Sequence, residues 1–144
     1  MRTPRQRIEA ACADRGTPRV VAGCVALIGG GETDPALVET LGGPAGPRYL
    51  DSPEDQRYWL RVWGVRGLLW ALGLPDAPSP EDPDVVAALV SALADERWRV
   101  RENAAKVVAR HRVDACQPAI AALLNDEIPR VRVASARALR VLMR

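Results

Sequence analysis

The chain has 144 residues, with 20 basic side chains against 18 acidic ones, and a net charge of +2 implies no polyanionic partner by itself. At 48% hydrophobic and 26% charged, the composition is that of a folded protein rather than a disordered one. Phe is absent and Trp and Tyr number six together, so the core must rest on Ala, Val and Leu, which suits closely packed helices better than an aromatic-rich sheet.

Taken in chain order, Pro and Gly divide the sequence into short helical segments. Arg5–Asp14 reads as a first helix ended by Gly16. Pro18, in a first-turn position, opens a second that runs to Ile28, where Gly29-Gly30-Gly31 stops it. Asp34 caps a short helix from Pro35 to Leu41, and a Gly- and Pro-rich loop follows over residues 42–53. The spacing then predicts the longest helix over residues 54–72, ended by Gly73 and Pro75, and a Pro-rich linker over 75–83. Helices over 84–94, 98–111, 117–124 and 129–143 complete a count of eight. Strict two-residue alternation persists nowhere, so no strand is expected and the fold class is all-α.

The charge is unevenly spread. Residues 1–94 hold nine Arg against twelve acidic residues, whereas residues 95–144 hold ten Arg and one Lys against six. The C-terminal third is therefore a modest basic surface. Cys12, Cys24 and Cys116 have no metal-ligand spacing and leave an odd thiol in any pairing scheme, so they read as small core residues of a reducing compartment. No run reaches the ~18–20 apolar residues that span a bilayer. Val21-Ala22-Gly23-Cys24 is similar to a lipoprotein cleavage box but lacks the apolar stretch before it, and a cytoplasmic protein is expected.

An internal repeat organises these helices. Asp95-Glu96-Arg97-Trp98-Arg99-Val100-Arg101 lies over Asp126-Glu127-Ile128-Pro129-Arg130-Val131-Arg132 at a shift of 31. Leu89 then lies over Ile120, Leu93 over Leu124 and Lys106 over Arg137. At a shift of 40 the same frame catches Asp55, Leu60, Arg61 and Arg66, and Pro18-Arg19-Val20 gives a fainter copy. Four helix pairs follow, over about 4–29, 34–73, 83–112 and 115–143.

An Asp in the turn between paired helices, with Val-Arg following five and six residues later, resembles the HEAT repeat family and its short bacterial units. The resemblance covers 84–142 well, 53–73 fairly and 1–50 weakly. It implies a single α-solenoid domain of about four hairpins, with second helices on the inner face. It further implies that Asp55, Asp95, Asp126, Arg61, Arg101 and Arg132 form a structural ladder between neighbouring repeats.

Candidate chemistry is sparse. Gly29-Gly30-Gly31-Glu32-Thr33-Asp34 lacks the Gly-Lys-Ser/Thr of a phosphate loop and follows a helix, so it reads as a helix stop. His111, the only histidine, sits at a helix end where a cation favours the dipole, and no serine lies in a nucleophile elbow. No catalytic residue, metal site or cofactor is assigned. Trp59, Trp63, Arg66 and Trp70 share one face of the long helix, a surface that either packs under the 42–53 loop or docks a partner. Arg66, Lys106 and Arg137 would stack as a column, with Arg99, Arg110, Arg130 and Arg144 beside it.

The expected function is a non-enzymatic scaffold that binds a protein with an acidic or mixed surface through its inner helical face. Those ten Trp, Arg and Lys residues would carry the contacts. Nucleic-acid binding in the manner of HEAT-like glycosylases is the alternative, and a chromophore-lyase-like factor is the second; no membrane partner is expected.

Overall fold

The computed structural model describes residues 1–31 and 34–144, and among these the regular structure is entirely helical. The α-helices are α1 (Pro4–Arg15), α2 (Thr17–Ile28), α3 (Pro35–Gly42), α4 (Glu54–Arg57), α5 (Trp59–Ala71), α6 (Pro83–Leu93), α7 (Trp98–His111), α8 (Gln117–Ala122) and α9 (Pro129–Leu142). Tighter 3-10 turns cover Gly46–Asp51, Asp114–Cys116 and Leu123–Asn125.

Local chemistry sets most of the starts. Thr3 and Gln6 close a reciprocal capping box at α1, and the side chains of Asp34 and Asp82 accept from Ala36 N and Asp84 N at the heads of α3 and α6. Proline occupies the first turn of α1, α2, α3, α6, α8 and α9, where its missing N–H leaves no helical bond unmade. Gly16 joins α1 to α2 at φ +94°, a backbone conformation that side chains with a Cβ avoid.

Two expectations are corrected. The segment over 54–72 is not one long helix: it divides at Tyr58 into α4 and α5, and the 13 residues of α5 are fewer than the 14 of α7 and of α9. The division coincides with the burial of Tyr58 next to five exposed residues, 53–57, its ring stacked on Trp59 at 5.2 Å. The 42–53 loop is also partly regular, since residues Gly46–Asp51 wind into a 3-10 turn.

The chain packs as two compact units, Met1–Pro78 and Ser79–Arg144. In the first, α1 pairs with α2 and α3 with α5, and the most extensive packing runs between the two second helices, α2 and α5. In the second, α6 pairs with α7 and α8 with α9, and α7 on α9 is again the dominant contact. Each unit is thus two helical hairpins side by side, as the repeat predicts. A hairpin alone cannot cover its apolar side, and its neighbour covers it.

Small residues let the second helices approach. On α5, a Cβ built at Gly67 would lie 2.5 Å from Cys24 Sγ and 2.9 Å from Leu41 Cδ2, and one at Gly64 would lie 3.1 Å from the Cys24 carbonyl oxygen. On α7 and α9 the same task falls to Ala104, Ala105, Ser135 and Ala138, all buried. No helix among the described residues is long and apolar enough to cross a membrane.

This packing makes a prediction for α5. Gly67→Ala should cost about 2 kcal/mol by overpacking, read as a lower urea midpoint at unchanged slope. An unaltered midpoint would mean that α2 and α5 do not meet at Gly67.

Candidate interaction surface

The repeat motif builds a buried ion pair between the two hairpins of residues 79–144. Asp95 and Asp126 occupy equivalent turns, and each carboxylate accepts the backbone N–H two residues on, from Arg97 and Ile128, at 2.9 Å. Arg101, in the first turn of α7, donates to the Asp95 carbonyl at 2.8 Å, and Arg132 in α9 donates likewise to the Asp126 carbonyl at 2.7 Å. Arg101 also makes the cross-hairpin bond. Its Nε and Nη2 donate to the two oxygens of Asp126 at 2.9 and 3.1 Å, a forked pair that fixes register as well as charge.

The Asp126 side chain is only 8% exposed. Burial pushes its carboxyl up, but the bonds from Arg101 and Ile128 and the charges of Arg101 and Arg132 outweigh this and hold it below the ordinary carboxylate range. Of the expected third pair, Asp55 lies inside helix α4 rather than in a turn and is exposed, and Arg61 pairs with Glu54 at 2.9 Å. The break at Tyr58 accounts for this, because it converts the would-be turn into a helical segment.

Beside the ion pair, α7 and α9 leave a groove of about 400 Å³. Its apolar lining is Ala109, Pro129, Val133 and Ala134, and its polar lining is Glu102, Lys106, Arg130 and Arg137. Glu102 is 6% exposed and accepts from both Arg130 Nε, at 2.9 Å, and Lys106 Nζ, at 3.3 Å. At one end lies Trp98, with the guanidinium of Arg99 4.4 Å and that of Arg130 5.5 Å from its ring centroid, within cation–π range. Val133 is 70% exposed.

Of the predicted column, Lys106 and Arg137 thus line one groove together with Arg130. Arg99 stands at the Trp98 ring and Arg110 is exposed on the last turn of α7. Arg144 lies at the far end of α9, where its carbonyl accepts from Arg112 at 3.2 Å. Arg66 lies in the other unit. Its Nη2 donates to the Leu41 carbonyl at 2.6 Å within residues 1–78, and its Nε is buried there. Desolvation, with the nearby charge of Arg7, lowers the affinity of that guanidinium for its proton.

The Trp face of α5 is also revised. Trp63, 9% exposed, meets the ring of Tyr49 edge-on at 5.0 Å and lies against Gly42, where an added Cβ would come within 2.6 Å of it. It is a core residue under the 42–53 segment and no docking group. Trp59 is half-buried beside Tyr58, and Trp70 is half-buried with the Arg5 guanidinium 4.8 Å from its ring centroid.

The glycine run closes α2: Gly29 and Gly31 donate to the carbonyls of Val25 and Ala26, and Gly30 takes φ +76°. Glu32 and Thr33 lie outside the described residues. His111 is half-buried in the last turn of α7. All three cysteines are buried free thiols, and burial pushes Cys24 up to about 12 and Cys116 up to about 11.

Trp98, Val133 and Glu102 are not among the residues that the sequence assigns to this surface. The available signal was the 31-residue shift, which puts Val133 over Glu102 and Pro129 over Trp98, and so marks where two equivalent helices differ. Residues 86–142 match the family model of HEAT repeats, so this part of the chain is similar to that family. No curated protein and no solved structure matches the chain.

The buried pair yields a second prediction. Arg101→Ala strands the Asp126 carboxylate and should cost about 3 kcal/mol at neutral pH. Because the folded value of Asp126 is depressed, its stabilisation is complete above the unfolded carboxyl value of about 3.9 and is lost as the pH falls through the folded value. The stability gap between the wild type and Asp126→Asn should therefore be widest at neutral pH and close below about pH 4. Thermal melts from pH 7 to pH 2 read this directly, and a gap independent of pH would contradict it.

Proposed function

We propose that the chain is a non-enzymatic scaffold that binds a protein partner through the groove between α7 and α9. HEAT repeats commonly serve as protein-interaction scaffolds, and the paired second helices are the surface on which the charge and apolar groups of this chain gather. One observation carries the reading: Val133 stands exposed among Lys106, Arg130 and Arg137, so an apolar contact is ringed by cations. An apolar centre with a charged rim is the composition of a protein interface. The cations and the Trp98 ring suit acidic and apolar side chains on the partner, which agrees with a partner of acidic or mixed surface. The buried Glu102 holds Arg130 across the groove, so the cationic rim is set before the partner arrives.

The test is affinity capture on the immobilised full chain, with retained proteins quantified at 50 and 300 mM salt. A specific partner should be retained by the wild type and reduced at least tenfold by Lys106→Glu with Arg137→Glu, and by Val133→Asp. Salt should weaken the interaction. Equal retention by wild type and variants would reject the groove. Saturable, salt-sensitive binding of a DNA or RNA duplex that the same variants abolish would instead assign the surface to nucleic acid.

A further inference from the structure

The cations of the α7–α9 groove stand at a helical interval. Lys106 and Arg137 occupy equivalent positions on α7 and α9, and both line it. Arg130 precedes Arg137 by seven residues on α9, two turns or about 10 Å along the axis. Exposed Val133 lies between these two, with Ala109 of α7 and Ala134 of α9 as a floor of small side chains. Glu102 holds Arg130 at 2.9 Å, which keeps the cation of that end in place.

A peptide that enters this groove finds almost nothing there for its backbone. Glu102 is the one acceptor among the side chains that line it. Its Oε1 accepts from Lys106 at 3.3 Å, its Oε2 pairs with Arg130 at 2.9 Å, and the residue is buried. An extended segment would press N–H groups against a floor with no acceptor left for them. An α-helix satisfies its own backbone and needs only side-chain contacts, and small residues on the floor let its axis come close. Charge complementarity then sets where its carboxylates fall. Residues seven positions apart share one face of a helix, at the same two-turn interval that separates Arg130 from Arg137.

We propose that the groove takes one helix of a partner protein, with acidic residues seven positions apart against Arg130 at one end and Lys106 with Arg137 at the other. An apolar residue three or four positions after the first acidic one rests on Val133. The proposal rests on the reading of this groove as a protein-binding surface. A second copy of the described residues does not supply such a helix. Among the described helices only α1 and α4 hold more than one acidic residue, Glu9 with Asp14 and Glu54 with Asp55, and neither pair is seven apart. The occupant is therefore a helix of another sequence.

The experiment titrates the full chain into fluorescein-labelled peptides of about four helical turns, built on alanine and glutamine, and reads anisotropy at 50 mM salt. The first peptide has glutamate at positions 4 and 11 and leucine at 7 and 8. The second has the same composition with the glutamates at 4 and 9, on different faces of the helix. The third is the first with proline at position 6. The first should bind at least tenfold more tightly than either of the others, and the Cα chemical shifts of a ¹³C-labelled copy should become helical on binding. Lys106→Glu with Arg137→Glu should weaken it at least tenfold. A peptide with lysine at position 11 should recover the affinity for that variant, which also shows the variant to be folded. Equal affinity of the three peptides, or a bound peptide that is not helical, overturns the proposal; if the groove substitutions still weaken binding, the groove itself stands as a protein-binding surface. Binding that the groove substitutions leave unchanged overturns both. Absence of binding by the first peptide at about 1 mM chain overturns the helical occupant, and capture by the groove variants then decides the wider reading by itself.

Discussion

The structure depends on one constraint: second helices must lie close enough along their length for each hairpin to cover its neighbour. In residues 1–78 glycine meets it, with Gly64 and Gly67 of α5 against Cys24 of α2. In residues 79–144 alanine and serine meet it, with Ala104, Ala105, Ser135 and Ala138. Close approach explains the absence of Phe and the dominance of Ala, Val and Leu, because interiors are packed to near-crystalline density and a large ring between these helices would hold them apart. It also explains where the large rings do sit. Trp63 packs at the edge of the helix pair against Tyr49 and Gly42, and Trp98 lies at the start of α7 where guanidiniums cover it.

Packing alone leaves the sliding of one hairpin along the next weakly specified, since Ala and Val stripes fit in more than one register. The Arg101–Asp126 fork supplies the missing discrimination. A forked pair with side chains 11% and 8% exposed has one geometry, and a slipped register would leave a charge buried without a partner. The carboxylate also accepts the Ile128 N–H at the head of α9, so one residue shapes the turn and anchors the neighbour. Its contribution is one of specificity as much as of stability.

The same charged motif that orders the interior leaves its mark on the surface. Each repeat delivers a cation to equivalent places on α7 and α9, and where these meet they form the rim of the groove, with Glu102 buried beneath Arg130 and Lys106. Where a repeat has no neighbour among the described residues, the groups that would be internal are turned to solvent, as Leu139 and Arg132 are. Scaffold and groove are therefore built from one pattern, and the proposed binding surface centres on a position at which the pattern is broken, Val133 standing where the preceding repeat has Glu102.

The sequence alone determined the all-helical class, the pairing of helices into hairpins and the equivalence of Asp95 with Asp126 and of Arg101 with Arg132. These follow from Pro and Gly punctuation, from 3.6-residue periodicity and from spacing at 31, all of which are local or repetitive along the chain. Tertiary structure decided what depends on neighbours distant in sequence. It divided the 54–72 segment at Tyr58, paired Arg61 with Glu54, buried Trp63 against Tyr49 and Gly42, tied Arg66 to the Leu41 carbonyl and buried Glu102 under Arg130. Periodicity assigns a side chain to a face of its helix, but whether that face meets solvent, a ring or a carboxylate is fixed only by the helix laid against it.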